Sequence, residues 1–202
     1  MCELVRSLGF WFLAGAAMAM PALAAQPASG RGGMPRPSTT GAAAADSLSG
    51  LSFLAGDWEG VGGGVPGQGT GTFSFQSDLQ QRVLVRHNHS AYPAAAGRPA
   101  AVHDDLMVVY AEGEPAKLRA IYFDSEGHVI HYAVQLAGSA APTETRSVAF
   151  VSDVEPTSPR YRLTYRMTGA DTVEIRFEIA PPGKPDGFVP YIAASARRKP
   201  AH

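Results

Sequence analysis

The fold is decided by residues 160–179, RYRLTYRMTGADTVEIRFEI, in which apolar and polar side chains alternate along two short runs. Successive side chains of a β-strand point to opposite faces of a sheet, so each run predicts a strand with one buried and one solvated face. The buried faces carry Tyr161, Leu163, Tyr165, Met167, Val173, Ile175, Phe177 and Ile179. The solvated faces carry arginines, glutamates and threonines, whose cross-strand pairs each contribute little stability. Gly169-Ala170-Asp171 separates the runs and predicts a hairpin.

Similar short runs, separated by turn residues, fill the chain on both sides of this hairpin. They predict strands at 56–60, 69–76, 82–92, 103–111, 117–124, 128–136, 147–152, 160–167, 172–179 and 189–199. Residues 47–55 are the single predicted helical piece, a short turn before the first strand. Consecutive antiparallel strands in this number close on themselves. The predicted fold class is therefore all-β, a ten-stranded antiparallel up-and-down β-barrel with a short N-terminal helical turn.

The N-terminal residues 1–24 have the three parts of a secretory signal peptide. Arg6 supplies a positive charge, residues 8–20 are apolar, and Ala22-Leu23-Ala24 forms a small-x-small cleavage site. The apolar run is shorter than the ~20 residues that a membrane span needs. The sequence predicts a periplasmic or secreted protein with no membrane attachment after cleavage. Cys2, the only cysteine, falls in the removed segment, which leaves no disulfide and no thiol nucleophile.

The remaining chain divides by composition into a leader and one domain. Residues 25–46 are rich in Ala, Gly, Pro, Ser and Thr and predict a disordered leader, because they offer too little apolar surface to offset the entropy of ordering. Residues 47–202 are the predicted barrel domain. Seventeen Lys and Arg against 18 Asp and Glu give a net charge of −1. Neither nucleic acid nor a membrane surface is therefore an expected partner.

Three short motifs resemble those of a known group of barrels. They are LSFLAGDWEG at 51–60, RPAAVHDD at 98–105 and PYIAASARR at 190–198. The motifs resemble, in the same order, those of nitrobindin-like and other calycin (lipocalin-like) barrels, in which a Gly-x-Trp opens the first strand. The resemblance spans residues 51–199 and implies a barrel that holds a small hydrophobic or amphipathic molecule in its lumen. It also implies kinship with exported bacterial proteins of unknown function.

The same resemblance does not decide whether the chain binds a haem cofactor. Nitrobindin-like proteins bind haem through a histidine of the last strand, and this chain has Tyr191 where that histidine would fall. A tyrosinate can ligate ferric haem. Haem binding with Tyr191 as the ligand is therefore one alternative function.

One face of the middle strands is the richer in aliphatic and aromatic groups, and the sequence assigns it to the interior. It carries Arg86, Asn88, Leu106, Val108, Tyr110, Leu118, Ala120, Tyr122, Ile130 and Tyr132. A few polar side chains on an otherwise apolar wall are typical of a ligand pocket. The predicted ligand-binding residues are thus Arg86, Asn88, Tyr110, Tyr122 and Tyr132. Arg86 offers a bidentate fork to an anion, but a one-residue slip in register would place it on the surface.

A second group of polar residues is expected at a barrel mouth, namely His103, Asp105, Asp124 and His128. A histidine beside a carboxylate can act as a general base, so an enzyme is another alternative, with its catalytic residues undetermined. The competing interpretation is that these residues shape turns, as Asp124 before Ser-Glu-Gly would.

A metal site is a third possibility, although the main expectation is that the chain has none. His87 and His89 share one face of a strand, and a hairpin near Gly97 would set His89 opposite Asp105. Two histidines at i and i+2 with a carboxylate across the ladder suit zinc. The alternative metal ligands are therefore His87, His89 and Asp105. The sequence contains no P-loop, no Gly-x-Ser-x-Gly elbow and no His-Glu-x-x-His motif.

Overall fold

The computed structural model describes residues 48–61, 70–94, 97, 99–138 and 145–200. The predicted signal peptide at 1–24 and the predicted leader at 25–46 lie outside these residues and stay predictions. No helix in the described ranges is long and apolar enough to cross a membrane.

The described residues form one 3₁₀ turn, Ser52–Leu54, followed by ten strands. The strands are β1 (Gly56–Gly60), β2 (Thr70–Asp78), β3 (Val83–Tyr92), β4 (Ala101–Glu112), β5 (Lys117–Asp124), β6 (Val129–Ala137), β7 (Ser147–Ser152), β8 (Arg160–Gly169), β9 (Thr172–Ala180) and β10 (Val189–Arg198). Each strand pairs antiparallel with its neighbours in sequence, and β1 pairs with β10 to close the barrel. The predicted all-β, up-and-down ten-stranded barrel is confirmed. The predicted bounds of β1, β5 and β7 match the structure to the residue.

The 3₁₀ turn closes one end of the barrel beneath the first strand. Phe53 and Leu54 are buried, and the fully buried Trp58 donates from Nε1 to the Leu54 carbonyl at 2.8 Å. The Arg198 guanidinium lies 4.2 Å from the centre of the Trp58 ring. It also donates to the carbonyls of Phe53, at 2.9 Å, and of Ala55. Trp58 and Arg198 together fix the turn across the end of the barrel.

The half of the barrel next to this turn, here called the packed half, is filled with side chains. Its inward residues include Phe73, Phe75, Leu84, Met107, Val109, Tyr132, Val148, Phe150, Leu163, Tyr165, Met167 and Val173. The aromatic rings meet edge to face, as with Phe75 and Tyr165 at 5.5 Å. Each large apolar side chain buried in this way contributes about 1.5–3 kcal/mol to folding. The packed half is therefore a solid core.

The observed register corrects the predicted faces of β4. Arg86 lies opposite Met107, and Met107 lies opposite Tyr122, so all three point into the barrel. The inward residues of β4 are Asp105, Met107 and Val109, all buried, whereas Leu106, Val108 and Tyr110 face outward. The predicted faces of β3, β5 and β6 agree with the observed register, and the prediction that placed Tyr110 inside is wrong. The β3–β4 hairpin sets His89 opposite Asp104 rather than Asp105, and a slip of one residue exchanges the faces of a strand.

The outer faces of β8 and β9 carry the expected cross-strand ion pairs. Arg162 donates two hydrogen bonds to Glu178, at 2.6 and 2.8 Å, and Arg166 pairs with Glu174. In both pairs the two residues lie directly opposite each other in the ladder. The arrangement confirms the alternation predicted for residues 160–179.

Candidate functional site

The half of the barrel away from the 3₁₀ turn, here called the open half, is less completely filled. Ile192 lies opposite Phe177, and Ala194 lies opposite Ile175, so both point inward. Ile192 is nevertheless 39% exposed, and Ala194 is also exposed, whereas Ala196 in the packed half is fully buried. Side chains that point into a barrel and stay exposed indicate space that the protein does not fill. This half is the candidate site.

The floor of the open half is a buried ion pair. Arg86 bonds to Asp105, and their side chains are 7% and 4% exposed. The guanidinium also lies 5.7 Å from the ring centre of Phe73 and 5.9 Å from that of Tyr165. Burial alone would lower the pKa of Arg86, but the surrounding Tyr165 and Asp105 raise it overall, so the guanidinium stays charged. Its fork is therefore already engaged by a carboxylate of the protein.

His103 lies on the mouth side of this ion pair and contacts three other side chains. Its Nε2 lies 3.1 Å from the Tyr122 hydroxyl and 3.4 Å from Asp105 Oδ2, and its Nδ1 lies 2.9 Å from Glu126. The hydrogen bond with Asp105 raises the pKa of His103 to about 9, with Glu126 adding to the effect and burial opposing it. His103 is thus mainly an imidazolium at neutral pH, a form that can donate a proton.

Asp124 and His128 shape the β5–β6 hairpin at the mouth. Asp124 Oδ1 accepts the backbone N–H groups of Glu126, at 3.1 Å, and of His128, at 2.8 Å. Its Oδ2 lies 2.7 Å from His128 Nδ1. Burial would raise the pKa of Asp124, but these bonds from His128 lower it overall. The contacts match the interpretation of Asp124 as a turn carboxylate.

One group of side chains at the mouth could hold a metal ion. Single ligand atoms of His103, Asp124 and Glu126 all lie within 4.8 Å of one another. A metal would have to displace the proton that His103 shares with Glu126, so any affinity would rise with pH. Sequence analysis missed Glu126, because Ser125-Glu126-Gly127 carried only the signal of a tight turn.

The alternative metal ligands predicted from sequence do not come together. His89 points outward and lies 2.7 Å from Asp104, and His87 is on the same outer face. Asp105 points inward to Arg86. The prediction is wrong because the register differs by one residue from the one assumed.

Four of the five residues predicted to bind a ligand do point into the barrel. The rings of Tyr122 and Tyr132 meet edge to face at 6.3 Å, and burial raises the pKa of both hydroxyls. Asn88 donates from Nδ2 to Ser90 Oγ at 3.3 Å. Arg86 is the fourth, and Tyr110 is excluded from the interior by its outward direction. Whether these residues bind a ligand stays a prediction.

The wall opposite the polar groups is aromatic and apolar. Tyr161 stacks on Phe177 with ring centres 5.9 Å apart, and Tyr191 meets Phe177 edge to face at 6.2 Å. Tyr191 sits at an irregularity of β10 between Pro190 and Ile192 and is 69% exposed. Its role as a haem ligand stays a prediction. The alternation of residues 160–167 predicts a buried Tyr161 and carries no signal that places it at the mouth.

A separate groove of about 620 Å³ lies on the outside of the barrel across β1 to β5. Its lining includes outward residues of that face, among them Asp57, Ser74, His87, His89, Leu106 and Phe123. The groove shares β4 and β5 with the polar wall of the open half, and its Leu106 and Phe123 lie on the outer face of those two strands. The lining also includes Phe73, Asn88, Asp105 and Asp124, whereas Arg86, Tyr122 and Tyr132 do not line the groove.

Comparison with known proteins does not assign the chain to a family. The chain matches no protein-family model, and a search of curated proteins finds no match. The closed ten-stranded barrel is consistent with a calycin-like fold. The closer kinship with nitrobindin-like proteins stays a prediction.

Proposed function

We propose that this protein is an exported binding protein that holds a small amphipathic molecule in the open half of its barrel. The observation that carries the proposal is the contrast within β10, where Ala196 is fully buried while the inward Ile192 and Ala194 stay exposed. Small closed barrels can hold one small ligand in the lumen, and inward side chains that stay exposed at one end suit such a role. Export rests on the signal-like residues 1–24.

The two walls of the open half suit the two ends of such a molecule. Tyr161, Phe177 and Ile192 offer an apolar surface, and each Å² of apolar area that a ligand buries there is worth about 25 cal/mol. Tyr122 and His103 face them with polar groups. The ligand therefore lies with its apolar part on β8 to β10 and its polar end toward β4 and β5.

Arg86 has a supporting role in this proposal. Its charge is balanced by Asp105, and Asp105 in turn approaches His103 at 3.4 Å. Arg86 thus holds the polar wall in place instead of clamping an acidic ligand. An uncharged polar end fits this site better than a carboxylate does.

The test compares two neighbouring alanines that face opposite ways. Ala194 points inward opposite Ile175, and Ala193 points outward opposite Arg176. The probe is N-phenyl-1-naphthylamine, an uncharged amphipathic dye whose fluorescence rises in apolar surroundings. Ala194→Trp should fill the open half and weaken dye binding at least about tenfold, the equivalent of 1.4 kcal/mol. Ala193→Trp should leave the affinity unchanged.

The proposal fails if the purified chain does not bind the dye, or if both variants bind it equally well. Native mass spectrometry of the protein isolated from its own host gives a second test, because it would identify the class of any co-purified ligand. A co-purified molecule should be lost from Ala194→Trp and kept by Ala193→Trp.

A further inference from the structure

We propose that the open end of the barrel docks on a zwitterionic lipid surface through a ring of exposed apolar side chains, here called the rim. The rim consists of Val102, Phe123, Val129, Val154, Val189 and Tyr191. What the docking serves rests on the proposed function. A barrel whose mouth lies on a lipid layer can exchange an amphipathic ligand with that layer without exposing the apolar part of the ligand to water.

Exposed apolar side chains are concentrated around the mouth. In the ranges that the structure describes, ten large apolar side chains are exposed, and two of these, Leu79 and Leu136, belong to the packed half. The six rim residues lie in the connections that surround the mouth or within two residues of a strand end there. Single exposed apolar side chains are normal on a protein surface, but a group of them around an opening marks an interaction site.

Two of the connections that carry the rim are held in place by their polar side chains. In the β5–β6 hairpin, Asp124 accepts backbone N–H groups, and the Ser125 N–H donates to the Asp104 carbonyl at 2.9 Å. Before the β7–β8 connection, Asp153 accepts two bonds from Arg119, at 3.1 and 2.7 Å. These polar side chains are engaged within the protein, while the apolar side chains beside them face the solvent.

The β9–β10 connection is fixed in the same way. Arg160 donates to the Pro185 carbonyl and to Asp186, both at 3.2 Å. The Phe188 ring lies 4.2 Å from the Arg162 guanidinium, which anchors the residue that precedes β10. The two rim residues of β10 are nevertheless 59% and 69% exposed. Their exposure thus belongs to a fixed connection.

The charges at the mouth favour a zwitterionic surface over an anionic one. Five carboxylates there are each paired with a histidine or an arginine, namely Asp104, Asp124, Glu126, Asp153 and Asp186. Glu155 and Lys184 add one charge of each sign. The described part of the mouth is therefore neutral or acidic, and it does not attract anionic headgroups. The balanced net charge of the chain excludes an electrostatic attraction to membranes, and the docking inferred here is apolar.

The shape of the rim favours a lipid layer over a protein partner. Protein interfaces have a closely packed centre, in which a few buried anchors supply most of the binding energy. The rim instead surrounds the opening of the lumen. A lipid layer needs no complementary shape and takes up single apolar side chains from separate connections. Tyr191, the most exposed residue of the rim, has the amphipathic ring that is enriched at the headgroup level of membranes.

The test is flotation of the protein with vesicles of phosphatidylcholine and with vesicles that also contain phosphatidylglycerol. The wild type should float with the phosphatidylcholine vesicles at least as well as with the anionic ones, and high salt should not release it. Val154→Asp should lower the partition coefficient at least about tenfold, because burial of one valine side chain is worth about that factor. Leu79→Asp is the matched control. It adds the same charge at a residue of similar exposure, 64% against 57%, in the packed half and should partition like the wild type.

Dye binding separates this inference from the proposed function. Without vesicles, Val154→Asp and the wild type should bind N-phenyl-1-naphthylamine equally, which would show that the lumen of the variant is intact. Val129→Asp, on another connection, repeats the comparison. A protein that floats as expected but does not bind the dye would support the docking and count against the proposed function.

Three results would overturn the inference and leave the binding function standing. In the first, the wild type binds the dye but does not float, or floats with the anionic vesicles alone. In the second, Leu79→Asp weakens flotation as much as Val154→Asp does. In the third, sedimentation shows a dimer that Val154→Asp dissociates, so that the rim joins two copies of the chain.

Discussion

Arg86 and Asp105 form a charged pair inside an otherwise aromatic core. The guanidinium touches the faces of Phe73 and Tyr165, and the carboxylate also approaches His103. A buried ion pair is weak evidence for stability, because desolvation of the two charges offsets much of their attraction. Its clearest consequence is that replacing either partner alone leaves the other as a buried charge without a counter-charge.

Removal of one partner should therefore cost more than removal of both. Arg86→Met keeps an apolar chain against the aromatic rings but leaves the Asp105 carboxylate buried without its cation. We expect the free energy of unfolding to fall by about 3–5 kcal/mol. In the double variant Arg86→Met, Asp105→Leu, most of that loss should be recovered. Urea denaturation with both variants would measure the difference, and equal destabilisation of the two would contradict the argument.

His103 gives the folded state a dependence on pH. The pKa of His103 is raised from 6.5 to about 9, chiefly by its hydrogen bond with Asp105. A raised pKa means that the imidazolium stabilises the fold fully below pH 6.5 and that this contribution is lost as the pH rises toward about 9. The difference in unfolding free energy between the wild type and His103→Gln should thus shrink over that interval. A difference that stays constant with pH would show that His103 titrates normally.

At the scale of the strands, alternation predicts an element well when only one face is apolar. Residues 160–179 are such a case: both strands begin at the predicted residue, end within two residues of the predicted end and bury the predicted face. In β4 both faces carry apolar groups, Leu106 and Val108 on one and Met107 and Val109 on the other. The residue composition of β4 therefore does not indicate which of its two faces is buried. The choice is made by the register of the β3–β4 hairpin, and that register is a tertiary property.

The same limit explains which parts of the site were predictable. Arg86, Tyr122 and Tyr132 point inward as the richer apolar face of their strands predicts, and the rings of Tyr122 and Tyr132 meet edge to face. Glu126 joins the site through a contact with His103, 23 residues away in sequence, for which a local pattern holds no signal. The sequence therefore predicts which side chains line the polar wall of the open half, but not the hydrogen bonds between them.

The two arginine–glutamate pairs between β8 and β9 should differ in strength although their chemistry is the same. Arg162 makes two bonds to Glu178, whose side chain is only 9% exposed, and lies 4.2 Å from the ring centre of Phe188. The side chain of Arg166 is 52% exposed. We expect Arg162→Ala to cost roughly 1–3 kcal/mol, because Glu178 loses its partner in a buried place. Arg166→Ala should cost less than about 1 kcal/mol. Thermal unfolding of both variants would check the order, and equal losses would contradict it.

Within the described barrel, the pairing and the burial of β10 change along its length. At the packed half, β10 is bonded on both sides, to β9 and, through residues 196–198, to β1. Beyond this point the last described contact with the first strand is the bond from the Val61 N–H to the Ser195 carbonyl, at 2.7 Å. Residues 189–194 pair with β9 alone among the described strands. The open half is thus the end of the described barrel at which inward side chains of β10 stay exposed.

Hydrogen exchange should report this difference and locate the ligand. Amides of residues 192–194 that bond to β9 should exchange at least about tenfold faster than those of Phe73 and Phe75, because local opening needs less free energy than unfolding of the core. A ligand that binds only the closed barrel makes local opening less favourable. Saturation with N-phenyl-1-naphthylamine should therefore slow the exchange of the amides of residues 192–194 by a factor that grows with the affinity of the dye. The amides of Phe73 and Phe75 should gain only what global stabilisation provides. If the dye protects the outer groove and leaves residues 192–194 unchanged, the ligand does not bind in the lumen.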